Sequence, residues 1–366
     1  MNALLVQDSD ALSHLCQRLA GAPWVALDTE FTRERTYYAR LGLIQLATED
    51  VLACVDPRAV ELTPLLDLLY DRSILKVLHA ARQDLEVLHD LRRAVPEPLF
   101  DTQVAAALLG HPEQVGYATL VEAVTGVKLA KLHTRADWEA RPLTEAQLRY
   151  AEDDVRYLRD VYRALAQELA RRDRSRWLEE ECAALLNPAL YRGDPELAYT
   201  RLKPGNGIGL EAQGRLKALA SWRERTAQTR DRPRGWIATD PQLMEIARAA
   251  PQDLAALACV PQITPPLTKT YGQEIVDTVC AAASAPTQRF WAEPRPPTPT
   301  EQTLARTLQT RIDAVAQAQG VSAGTIATRR ALLEFIRDAG GPLTRGWRWE
   351  LVGRELDTLK QQTLSA

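Results

Sequence analysis

The sequence predicts a mixed α/β domain with helices flanking its sheet, followed by two small all-α helical domains. Three observations lead there. Short apolar runs alternate with helical periodicity over the first ~200 residues. The strand signals then stop after Asn187-Pro188, and two punctuated helical stretches follow.

Trp24-Val25-Ala26-Leu27 runs apolar into Asp28, as a buried strand does. Leu41 to Ala47 and Val51 to Val55 flank Thr48-Glu49-Asp50 and read as a hairpin. Ile74 to Leu78 gives a fourth strand and Pro98-Leu99-Phe100 a fifth. Helical stretches cover Leu62 to Tyr70, Arg82 to Leu91, Thr102 to Leu109, and Glu145 into Arg171-Arg172. A hairpin combined with helix-connected strands indicates a mixed sheet. Lys203-Pro204-Gly205-Asn206-Gly207 is a turn-rich joint. Beyond it, a helix opens at Thr239-Asp240-Pro241, with Asp240 expected as its cap. Ala292 to Pro299 contains four prolines and reads as a stiff linker. The expected domains are residues 1–205, 206–290 and 291–366.

Of the 366 residues, 46% are hydrophobic and 25% charged, which excludes a mostly disordered chain. No apolar run approaches the ~20 residues of a membrane span. No basic segment precedes an apolar block at the N-terminus, so a secretory signal is not expected. The five cysteines are scattered, with no Cys-x-x-Cys pair. That pattern fits a reduced, cytoplasmic chain and excludes a zinc ribbon. Residues 1–205 hold 25 basic and 32 acidic residues, whereas each rear segment holds 10 and 8. An acidic front thus joins two mildly basic modules, a weak pointer to a polyanionic partner.

Asp28-Thr29-Glu30 ends the first strand. An acid-x-acid pair arises by chance about six times in such a chain, so position must carry the argument. Strand alternation puts Asp28 and Glu30 on one face, at the end where open α/β sheets bind ligands. Side-by-side carboxylates raise each other's pKa unless a cation sits between them. Asp84 follows the fourth strand in the first turn of the next helix, where the dipole alone also favours an acid. His79 reads as a structural histidine, because no second His lies near it to build a zinc site. Thr144-Glu145-Ala146-Gln147 is a capping box that fixes the register of the long helix. Leu148, Ala151, Val155, Leu158, Tyr162, Leu165 and Leu169 then form its apolar stripe. Tyr150 and Asp154 lie within ~40° of each other on the stripe's flank, and Asp153 points away from it.

In order and context, Asp28, Glu30, Asp84, Tyr150 and Asp154 resemble the DEDD exonuclease superfamily in its tyrosine subclass. The strings ALDTEF, RTYYARLGLIQLA, LHAARQDLEVL, DTQ after Phe100, and ADWEARPLTEAQLRYAEDDVRYL resemble the ribonuclease D family. LASWRERTA and KTYGQEIV resemble an HRDC domain, and SAGTIATRRALLEF with GWRWELVG resembles a second one more weakly. The resemblance implies a ribonuclease H-like sheet and a 3′–5′ exoribonuclease that releases 5′-monophosphates. Its implied substrates are single-stranded RNA 3′ ends, including transfer-RNA precursors. It implies two divalent ions, Mg²⁺ or Mn²⁺, held by Asp28, Glu30, Asp84 and Asp154, with Tyr150 orienting the attacking water.

Phe31 is a candidate to stack on the terminal base, with core packing as the alternative. Trp138 and Arg141 are candidates to lie beside the substrate, or else a packed Trp with a paired Arg. No membrane or protein partner is indicated. Two other readings stay open: a DNA-directed 3′–5′ exonuclease, and an RNA-binding scaffold without catalysis. The intact five-residue set speaks against the scaffold.

Overall fold

The computed structural model describes residues 3–129, 136–204, 208–283, 288–291 and 295–365. Gly205-Asn206-Gly207 of the expected joint and Ala292-Glu293-Pro294 of the expected linker lie outside the described residues. The chain forms two compact units. One comprises Met1–Thr32, Leu41–Pro188 and Pro296–Ala366, and the other Arg33–Arg40 and Ala189–Arg295.

The first unit contains a six-stranded sheet of β1 (Leu4–Val6), β2 (Trp24–Thr32), β3 (Arg40–Ala47), β4 (Leu52–Val55), β5 (Leu75–Leu78) and β6 (Leu99–Asp101). Their order is β1-β4-β3-β2-β5-β6. The hairpin is antiparallel, with Ile44 opposite Val55, while β5 runs parallel to both β2 and β6. Mixed pairing follows from one tight turn plus helical crossovers. Strand β1 was not expected from the sequence. It is three residues long and pairs in parallel with β4, Val6 opposite Val55, so no periodicity could announce it.

The helices of this part are α1 (Ser9–Leu19), α2 (Thr63–Leu69), α3 (Arg82–Arg92), α4 (Thr102–Leu108), α5 (Tyr117–Thr125), α6 (Glu145–Arg171) and α7 (Ser175–Leu185). The capping box of α6 forms as expected: Thr144 Oγ1 accepts from Gln147 N at 3.2 Å, and Thr144 N donates to Gln147 Oε1 at 3.0 Å. Its buried face is Gln147, Ala151, Val155, Leu158, Val161, Leu165 and Leu169. Val161 takes the place expected for Tyr162, whose ring lies on the flank against Trp24 (5.1 Å) and Phe100 (4.9 Å). Each fully buried aliphatic side chain of that face contributes roughly 1.5–3 kcal/mol, enough to hold α6 on the sheet.

The second unit is built on α8 (Leu210–Thr229), α9 (Arg234–Ile237), α10 (Asp240–Ala249), α11 (Leu254–Ala258) and α12 (Pro265–Ala283). Thr239, not Asp240, caps α10, because Thr239 and Gln242 form a capping box. Buried Glu224 accepts from Arg234 Nε at 2.5 Å, from Arg201 Nη2 at 2.8 Å, and from the Tyr37 hydroxyl.

Residues 296–365 form α13 (Pro299–Gln319), α14 (Ala323–Ile326), α15 (Arg329–Ile336), α16 (Gly346–Arg348) and α17 (Arg354–Ser365) around their own core of Leu308, Ile312, Phe335 and Leu356. Within the first unit this module packs on α7. Trp347 stacks on Trp177 at 4.4 Å, and its indole N–H donates to Glu181 at 2.8 Å. Gly346 sits at φ +60°, a left-handed conformation that favours glycine, and a Cβ there would also force the Glu180 carboxylate, 2.1 Å away, to shift. No helix among the described residues is long and apolar enough to cross a membrane.

Candidate active site

Three elements bring the five expected residues into one region. Strand β2 carries Asp28 and Glu30, and it continues to Thr32 rather than ending at Glu30. Helix α3 carries Asp84 in its first turn. Helix α6 carries Tyr150 and Asp154 on the flank of its buried stripe. Asp28, Glu30 and Asp154 each turn a carboxylate oxygen to within 4.8 Å of the others. Buried Asp84 stands beside them, tied to the same strand: Thr29 N and Thr29 Oγ1 both donate to its Oδ1, at 3.2 and 2.5 Å. Asp153 points elsewhere. Its side chain is 45% exposed and pairs with Arg156 at 3.5 Å on the same helix, as the register predicted.

Among the described residues, none of these four acids is ion-paired with Lys or Arg, and their acidities reflect it. Burial raises Asp28 well above the usual carboxylate range, and Asp84, Asp154 and Glu30 push it further. Burial, then Asp154 and Asp84, pushes Glu30 up to about 8. Burial takes Asp154 to about 7 against a hydrogen bond from the Tyr150 hydroxyl, which lowers it. Burial takes Asp84 to about 6 while the Thr29 hydrogen bonds oppose the rise. A cluster that cannot ionise fully by itself is stabilised by a cation placed among its oxygens. All-oxygen donors of this kind suit a hard divalent ion, so the residues present fit Mg²⁺ or Mn²⁺.

Asp28, Glu30, Asp84 and Tyr150 line a cleft of about 740 Å³ whose walls also include Phe31, His79, Arg82, Gln103 and Leu185. Phe31 is half-buried at this wall. Trp138 and Arg141 are not among the walls. Trp138 is buried and packs its ring 6.2 Å from that of Tyr150. Arg141 holds both carboxylate oxygens of Asp56, at 2.6 and 2.7 Å, and donates to Gly42 O at 2.7 Å. These two therefore back the tyrosine and brace the hairpin.

His79 has both ring nitrogens engaged, by Thr102 Oγ1 (3.0 Å) and Val115 O (3.1 Å), as a structural histidine should. Tyr117 was not singled out from the sequence. Its hydroxyl donates to Asp153 O at 3.0 Å and its ring packs edge-on to His79, fixing α6 beside β5. A lone tyrosine in a helix gives no signal of such a role.

A strand-borne acid pair, a helix-borne acid and a Tyr-x-x-x-Asp helix on one mixed sheet define a 3′–5′ exonuclease. Residues 4–170 match the family model of the 3′–5′ exonuclease, and residues 212–279 that of the HRDC domain. The chain is 38% identical to ribonuclease D of Gluconacetobacter diazotrophicus, over 98% of this chain and 92% of that one. It is also 38% identical to ribonuclease D of Acidiphilium cryptum, over 98% and 93%. The crystal structure of Escherichia coli ribonuclease D, an exoribonuclease involved in structured RNA processing, superposes with a TM-score of 0.87 at 33% identity, over 99% of both chains. The chain belongs to the ribonuclease D family and is a 3′–5′ exoribonuclease.

Proposed function

We propose that this chain trims single-stranded RNA 3′ ends hydrolytically, transfer-RNA precursors among them, in the cytoplasm. Asp28, Glu30 and Asp154 would hold one divalent ion, and Asp28 with Asp84 would serve a second. Such ions lower the pKa of a bound water and stabilise charge on the phosphoryl and leaving oxygens. The observation that supports this most is the convergence of three carboxylates within 4.8 Å, with no Lys or Arg ion-paired to them among the described residues.

In the reaction, water attacks phosphorus, the bond from phosphorus to the 3′ oxygen breaks, and that oxygen takes up a proton. The products are a 5′-monophosphate and a shortened 3′-hydroxyl end. Tyr150 would orient the attacking water. Its hydroxyl is anchored on Asp154, and burial followed by the neighbouring carboxylates raises its pKa. A phenol whose unperturbed pKa is about 10 donates a hydrogen bond at neutral pH rather than accepting a proton. Phe31 offers a stacking face to the terminal base from the cleft wall.

The division at 205/206 and 290/291 is proposed to separate catalysis from two HRDC-like modules. Modest positive charge on each would add affinity chiefly through tethering. The deciding experiment incubates labelled RNA and DNA with a panel of 3′ ends, including a transfer-RNA precursor, in Mg²⁺. Stepwise loss of 5′-monophosphates from RNA supports the reading. Equal rates on DNA of the same sequence would favour the DNA-directed alternative.

A further inference from the structure

The DTQ string after Phe100 has no part in the chemistry above, yet its aspartate lines the same cleft. Asp101 is 2% exposed, and its carboxylate receives four backbone N–H groups. Ala80 N donates to Oδ1 at 3.1 Å and Ala81 N to Oδ2 at 2.9 Å. Gln103 N and Val104 N donate to Oδ1 at 2.8 and 3.4 Å. The latter pair is an ordinary N-cap of α4. The former pair is not local: it reaches from β6 to the turn between β5 and α3, 20 and 21 residues away in sequence.

That turn needs a tether. Ala80 adopts φ +54°, a left-handed conformation that an alanine enters only when its surroundings hold it there. Immediately beyond it α3 begins, and Asp84 is the third residue of that helix. Strand pairing alone places Leu78 opposite Asp101, so β6 arrives with its carboxylate level with the end of β5. Asp84 is thus fixed from two sides, by Thr29 on β2 and by the origin of its own helix.

We infer that Asp101 is a positioning residue: by clamping the Ala80-Ala81 turn it sets where α3 presents Asp84 to the metal site. The inference rests on the reading of Asp84 as an acid that serves a divalent ion. Asp101→Asn preserves volume and removes one acceptor. Its amide group must oppose either the Ala81 N–H or those of Ala80, Gln103 and Val104, so one side of the clamp opens.

The test titrates Mn²⁺ calorimetrically into the chelator-treated, RNA-free full chain. It then measures half-saturating Mg²⁺ and KM for a short oligoribonucleotide. Asp8→Asn is the control, because Asp8 caps α1 by accepting from Ala11 N at 2.8 Å and is remote in sequence from α3. The expected result for Asp101→Asn is Mn²⁺ affinity lower by about tenfold or more, a matching rise in half-saturating Mg²⁺, and KM within about twofold. Asp8→Asn should move none of these. Adding Ala80→Gly should restore part of the affinity, since glycine takes the left-handed turn without a tether.

A lower melting temperature for Asp101→Asn with unchanged Mn²⁺ affinity would overturn the inference and leave Asp101 a helix cap. Failure of both Asp101→Asn and the double variant to fold would also overturn it, making the residue a folding requirement. A wild-type chain that binds no Mn²⁺ would instead overturn the metal-site reading itself.

Discussion

Burial acts on one acid of the second unit and on a cluster of four in the first, and the two respond in opposite directions. In the second unit burial pushes Glu224 up, but Arg234, Tyr37 and Arg201 outweigh it, and the group ends below the ordinary glutamate range. In the first unit burial pushes Asp28, Glu30, Asp84 and Asp154 up, and among the described residues no guanidinium or ammonium is paired with any of them. The contrast repeats within the first unit itself. Asp56 is also raised by burial, yet its bidentate contact with Arg141 brings it down overall. Glu224 and Asp56 are thus met by guanidinium groups, and buried Asp101 by four backbone N–H groups. Asp28, Glu30, Asp84 and Asp154 have no such guanidinium partner among the described residues, which is why they are the proposed place for an external cation.

The largest effect should come from breaking the unneutralised cluster. Asp154→Asn removes one ligand oxygen's charge and should cost turnover by ~10³ or more, several multiples of the 1.4 kcal/mol that makes a tenfold change. Asp153→Asn, one residue away, loses only a surface pair and should stay within about twofold. Equal losses from both, measured as single-turnover rates on one RNA, would contradict the assigned faces of α6.

Next in size is Tyr150→Phe, which deletes one hydroxyl and keeps the ring against Trp138. The chemical step should slow by roughly 10²–10⁴, with kcat falling and KM little changed. A Phe variant within twofold of the parent would remove the tyrosine from the reaction.

The neutralised cluster should fail differently. Glu224→Gln leaves Arg234 and Arg201 without their carboxylate and should destabilise the protein by about 3 kcal/mol. Denaturant unfolding measures this, and an unchanged midpoint would show that the pairing is dispensable.

The smallest expected effect is a pH dependence of the cation's benefit. With chelator present, the raised pKa values of Asp84, Asp154 and Glu30 mean that the folded state holds protons the unfolded state has released. Their stabilising contribution is complete below the ordinary carboxylate range and is lost as pH rises through about 6, 7 and 8. Melting temperature should therefore fall over that window, and added Mg²⁺ should raise it more at its alkaline end than at its acid end. A Mg²⁺ increment independent of pH would argue against ion binding at these acids.

The active-site half of this contrast is legible in the sequence. The capping box at Thr144 fixed the phase of α6, and the phase separated Asp154 from Asp153. Strand alternation put Asp28 and Glu30 on one face. What stayed hidden depends on contacts far apart in sequence. Nothing near Arg141 announces Asp56, and nothing near Glu224 announces Tyr37, which comes to the second unit from a segment following β2. Asp101 was visible within a motif, but its hold on the Ala80 turn follows only from the register of β6 against β5. Strand β1 and the cap at Thr239 were missed for smaller reasons: a three-residue strand has no period, and two adjacent capping residues compete at one helix start.

On the function proposed above, the cluster of Asp28, Glu30, Asp84 and Asp154 works only with an added divalent cation. Hydrolysis of a labelled single-stranded RNA, followed in excess chelator and again after Mg²⁺ is restored, tests it most directly. No 5′-monophosphate should be released in chelator, and full activity should return with Mg²⁺ in the wild type but not in Asp28→Asn. Undiminished release of 5′-monophosphates in excess chelator would contradict the account.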